Sequence, residues 1–245
     1  MNYKKMKWLL IPLVGMFVLW WIASVWIYTR NPKDHMEIIE AALSTGSGYN
    51  YIKPQILFAM IFVVTLFQLM PELGLQQVIK TGRTRWILDR VRYTLISAMY
   101  FAAVFIAVET VFGVIRIEFT FLIKLNYFWC MLLGWISLTF IYLFMGCIYL
   151  MFSVLLSAGL VALGVSFLVS LIFMALSMYN FVPTVYLVMD VMQWPAMKEM
   201  GMRGMDIMFV IKPLIYNAIA MVAMIIVSIQ VFKRKDLLDN RLQLI

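Results

Sequence analysis

The sequence predicts an all-α membrane protein of six transmembrane helices, with both ends of the chain on the cytoplasmic side. Three observations lead there. Of the 245 residues, 64% are hydrophobic and only 13% are charged, too little polar surface to cover a soluble domain. The apolar residues arrive in blocks of roughly 20, the length a helix needs to cross ~30 Å of hydrocarbon. The basic residues gather at alternate block ends, which orients the blocks by the positive-inside rule.

The blocks span about 8–28, 54–74, 95–115, 128–151, 158–179 and 209–232. Lys4, Lys5 and Lys7 precede the first. That run is too long for a signal-peptide core and no small-residue cleavage pattern follows it, so it reads as a membrane span. The outer segment 31–54 suggests a short amphipathic helix, with Asn31 as cap, Pro32 at the first helical position and Thr45-Gly46-Ser47-Gly48 ending it. After the second block come Lys80, Arg83, Arg85, Arg90 and Arg92, and after the sixth Lys233, Arg234 and Lys235. A short outer link at 116–124 joins blocks three and four. The uncharged stretch 153–159 is short enough to join an antiparallel pair. Trp8, Trp20, Trp21, Trp26, Tyr28, Tyr127 and Trp129 lie towards block ends, where amphipathic rings favour the headgroup layer.

Before the sixth block, residues 179–209 are broken by Pro183 and Pro195 and loosened by Gly201 and Gly204. A re-entrant pair of half-helices fits this pattern. Its methionines, among them Met189, Met192, Met197 and Met200, admit a copper(I) reading because thioethers are soft ligands. The stretch holds no histidine or cysteine, however, and its interleaved Asp190, Lys198, Glu199, Arg203 and Asp206 suit helices lying in the interface.

Several chemistries are disfavoured outright. A phosphate-cradling loop needs glycines leading into Lys and Ser/Thr, and the chain has no Gly-Lys pair. His35 is the sole histidine; it reads as a solvated neighbour of Asp34 and Glu37, so a two-histidine zinc motif cannot form. A Gly-x-Ser-x-Gly elbow is missing too. These gaps argue against an intramembrane enzyme, and no metal or cofactor is expected in this chain. The net charge of +8 suits contact with anionic lipid headgroups; no nucleic-acid module pattern accompanies it. Cys130 and Cys147, 17 positions apart, stand roughly 25 Å apart on one helix, beyond disulfide reach.

Glu109 is the one ionisable residue well inside a block. It admits three roles: pairing with Arg116 about two turns later, placement in a hydrated groove, or a part in substrate passage. Glu72 and Lys212 fall near block ends, where snorkelling is easy. No internal repeat is evident, which weakens an inverted-repeat carrier.

Between blocks two and three, residues 75–88 place Leu75, Val78, Ile79, Trp86, Ile87 and Leu88 against a basic face interrupted at Thr81-Gly82. This predicts helix, turn, helix at the membrane surface. With that elbow, the six spans, the broken outer segment and the basic ending 232–238, the chain resembles type 2 ATP-binding-cassette permeases of bacterial exporters. The resemblance implies a cytoplasmic coupling helix, with Gly82 making the turn and Arg83, Thr84, Arg85 and Trp86 docking on a separate cytoplasmic ATPase. That partner would bind ATP and magnesium, and a second permease subunit, identical or related, would complete the pathway in the bacterial cytoplasmic membrane. The compact size and large outer loops are similar to permeases of small Gram-positive exporters of amphipathic or antimicrobial peptides, phenol-soluble-modulin exporters included. On this view Glu109 and the outer residues Tyr186, Asp190, Trp194, Met197 and Glu199 are candidates for the substrate pathway, the acidic ones favouring cationic cargo. The same elbow also fits a non-transporting sensor, assembly or immunity protein that binds a partner through it.

Overall fold

The computed structural model describes residues 3–23, 58–70, 82–124, 127–156, 159–178 and 207–234, and every regular element among them is a helix. In chain order these are α1 (Tyr3–Trp21), α2 (Phe58–Leu69), α3 (Arg83–Arg116), α4 (Phe119–Lys124), α5 (Tyr127–Leu156), α6 (Gly159–Met178) and α7 (Ile207–Arg234). Each of the six apolar blocks thus holds a helix. By length and composition α3 and α5 suffice to cross a membrane. The expected outer helix at 31–54 and most of the segment at 179–209 lie outside the described residues.

One expectation is corrected. After Gly82 the basic stretch forms no separate surface helix, because residues 83–92 are the opening turns of α3 itself, a single helix of 34 residues. At ~1.5 Å per residue it is roughly 50 Å long, well over the ~30 Å of hydrocarbon, so it projects beyond the apolar block by several turns. The cause is local. No glycine or proline interrupts residues 83–112, and backbone bonding from residue i to i−4 is indifferent to the change from charged to apolar side chains. At its far end Ile117 N–H returns to Gly113 O (3.0 Å). The 116–124 link then forms the short α4, with Thr120 Oγ donating to Glu118 Oε1 (2.6 Å).

Side-chain contacts fix the directions of the helices. Phe17 of α1 meets Phe101 and Phe105 of α3, and four residues on Trp21 meets Phe112, so α1 and α3 run the same way. In α2, Phe58 lies beside Phe105, while Tyr93 O–H donates to Leu69 O (3.4 Å), which makes it antiparallel to α3. Helix α5 is likewise antiparallel, with Tyr127 beside Gly113 and Val154 beside Trp86. Gly159 opens α6 against Phe67 of α2, and Phe232 closes α7 against Trp86. The basic starts of α1 and α3 and the basic end of α7 therefore share one end of the bundle.

The central member is α5, which packs on α2, α3, α4, α6 and α7. Its Gly146 permits the tightest approach. A Cβ there would overlap Thr94 Cγ2 of α3 and come within 3.2 Å of Leu66 and 3.3 Å of Phe62 of α2. Around this column the aromatic rings meet edge to face, Phe17 on Phe58 (5.1 Å) and Phe101 on Tyr142 (5.0 Å) among them, each such pair contributing about 0.5–1.5 kcal/mol beyond burial. Six hydroxyls are satisfied within their own helices: Thr65, Thr94, Thr110, Thr139, Ser166 and Ser228 each donate to the carbonyl four residues back, whereas the buried Ser97 hydroxyl has no partner among the described residues. Such back-bonding is how a hydroxyl avoids isolation in an apolar surrounding.

Candidate functional site

Gly82 precedes α3 at φ 80°, ψ 146°, a backbone region that essentially only glycine occupies. Nothing lies within 4 Å of where its Cβ would be, so conformation and not space requires glycine here. Its carbonyl accepts the first helical bond, from Trp86 N–H (3.0 Å). The next turns divide into two faces. Thr84, Arg85, Leu88, Asp89 and Arg92 are exposed, whereas Trp86, Ile87, Arg90 and Val91 are buried. Helical geometry puts Arg85, Leu88, Asp89 and Arg92 on one stripe, with Leu88, 46% exposed, as an apolar spot flanked by charge.

Trp86 faces the other way and is only 6% exposed. Its indole stacks on Phe232 of α7, ring centroids 5.0 Å apart and planes 12° from parallel. The Arg90 guanidinium carbon lies 4.7 Å from the Trp86 ring centroid, within cation–π range. Ile87, Val154 and Ile229 complete a small apolar cluster distinct from the main core. Among the described residues the indole N–H has no hydrogen-bond partner, so the ring faces carry the contact. Of the residues expected to dock on a partner, Thr84 and Arg85 are thus on the surface and Trp86 is inside; Arg83 opens the helix.

Towards the opposite end of α3, Glu109 is 6% exposed. Its carboxyl group is met by Trp21 and not by Arg116: the indole N–H of Trp21 donates to Oε2 at 3.1 Å. The Trp21 ring stacks on Phe112 (4.4 Å, 14°), and the Tyr127 hydroxyl donates to the Glu109 main-chain carbonyl (3.3 Å). Gly113 makes room for that hydroxyl, which would stand 2.6 Å from a Cβ placed there. Trp21 and Tyr127, expected at headgroup level, are buried within the bundle, while Trp129 is exposed. The core has claimed them because each carries one polar hydrogen that a buried acceptor needs.

Compared with known protein families, curated proteins and solved structures, this chain shows no match. Among the described residues no group of three or more His, Cys, Asp or Glu side chains could hold a metal ion, and Cys147 is a buried free thiol. Tyr186, Asp190, Trp194, Met197 and Glu199 lie outside the described residues. Reasoning from sequence missed Phe232 and Trp21 as partners. An aromatic residue at the end of an apolar block was the only available signal, and it is shared by residues that face lipid.

Proposed function

We propose that this chain is the membrane-spanning permease subunit of an ATP-driven exporter, moving an amphipathic substrate with energy supplied by a separate cytoplasmic ATPase. On this reading the six apolar helices each cross the bilayer, and the end carrying the basic residues faces the cytoplasm. One observation carries the proposal: the exposed stripe Arg85, Leu88, Asp89 and Arg92 belongs to a helix that runs without a break into an apolar span. A force on that stripe is delivered directly to the span, which a loop fixing topology alone would not do. ATP binding in the partner biases the spans only through its differential affinity for their two arrangements.

The test is co-purification from the native membrane. The wild-type chain is expected to carry with it a protein that hydrolyses ATP, and Arg85→Glu to lose it. Cross-linking from Thr84→Cys is expected to capture the same protein. If ATPase activity never accompanies the wild-type chain, the exporter reading fails and a non-transporting sensor, assembly or immunity protein takes its place.

A further inference from the structure

Resting on the exporter reading, we propose that Trp86 and Phe232 form the joint through which motion of the basic stripe reaches the last helix, α7. Binding and transmission would then belong to adjacent residues on different faces. Arg85 is exposed and Trp86 is buried, one residue apart and about 100° around the helix. A partner pulling on Arg85 therefore displaces Trp86 through a single backbone step. Trp86 lies flat against Phe232 at 5.0 Å, so the final turn of α7 follows it. Arg90, over the same ring at 4.7 Å, holds the indole from its own helix one turn further on.

Two further facts distinguish a joint from ordinary packing. The cluster of Trp86, Ile87, Val154 and Phe232 stands apart from the main core, so a substitution at Trp86 leaves the aromatic centre of the bundle intact. The indole N–H is unpartnered among the described residues, so the joint depends on a flat ring and not on a directional hydrogen bond. Phenylalanine should therefore serve at position 86. Trp86 is on this account a positioning residue, and the docking surface is intact without it.

The experiment uses the full chain in lipid nanodiscs, with spin labels on Ile96→Cys of α3 and Val227→Cys of α7, both exposed, and with Cys130 and Cys147 replaced by alanine. With the ATPase bound, a non-hydrolysable ATP analogue should shift the distance between the labels by roughly 2–5 Å, the scale of helix displacements in switching proteins. Trp86→Phe and the exchange Trp86→Phe with Phe232→Trp should keep that shift. Trp86→Ala and Phe232→Leu should retain the ATPase yet lose the shift, and without any ATPase their distance distributions should broaden. A full shift in Trp86→Ala or in Phe232→Leu overturns the proposal, as does loss of the shift in Trp86→Phe. If no ATPase binds the wild type, the exporter reading falls alone, and the resting distributions still judge the joint: equal widths in Trp86→Ala and wild type would sink it.

Discussion

Helix α3 carries a tryptophan-centred cluster towards each end, and the two use the indole in opposite ways. At the cytoplasmic end of the proposed topology, Arg90 lies over the face of Trp86, which stacks on Phe232. Towards the other end, 23 residues or roughly 35 Å away, Glu109 accepts the edge N–H of Trp21, which stacks on Phe112. The chemistry of the indole explains the difference, because its negative face attracts a cation while its edge N–H donates to a carboxyl oxygen. The first cluster joins α3 to α7 and α5; the second joins it to α1, with Tyr127 bringing in α5. One residue type thus secures both ends, but only one end uses its N–H.

The largest expected effects come from deleting the rings. Trp21→Ala removes a fully buried side chain and leaves Glu109 without its donor, a loss of about 3–5 kcal/mol. Trp86→Ala should cost less, about 2–3 kcal/mol, since Arg90 stands near the end of the bundle and can turn towards water. Far-ultraviolet circular dichroism across a dodecyl sulfate titration in mixed micelles would rank them, and a reversed order would break the comparison. Phenylalanine sharpens it. Trp21→Phe keeps a ring but strands a buried acceptor, about 1–3 kcal/mol, whereas Trp86→Phe should stay within about 1 kcal/mol because no bond is lost. Equal effects in the same titration would show that the N–H of Trp21 contributes nothing. A modest effect is expected from Gly113→Ala, which presses on the Tyr127 hydroxyl at about 1–2 kcal/mol. Combining it with Tyr127→Phe should recover part of that loss.

The helices were legible in the sequence because the apolar residues arrive in blocks, and each block holds a helix. The length of α3 was not. Hydropathy falls at Tyr93 and the arginines before it, so the charged turns read as an element of their own, although the backbone continues through them. Gly82 was readable as a helix boundary, since glycine is costly in a helix interior, and it precedes α3 at positive φ; the surface helix expected before it lies outside the described residues. The pairings were beyond reach. Periodicity tells which face of a helix is apolar but not which of the other helices covers it. Trp21 and Glu109 are 88 residues apart, and Trp86 reaches across most of the remaining chain to Phe232.

On the membrane-spanning reading, the hydroxyls that bond one turn back in their own helices bear on biogenesis. A segment that satisfies its polar atoms alone can leave the insertion machinery and enter lipid singly, without waiting for neighbours to be synthesised. The Glu109 side chain, like the Tyr93 and Tyr127 hydroxyls and the Trp135 indole, relies on another segment. Synthesis runs from the amino terminus, so Trp21 precedes Glu109, and the buried carboxyl group never has to wait for its donor to be made.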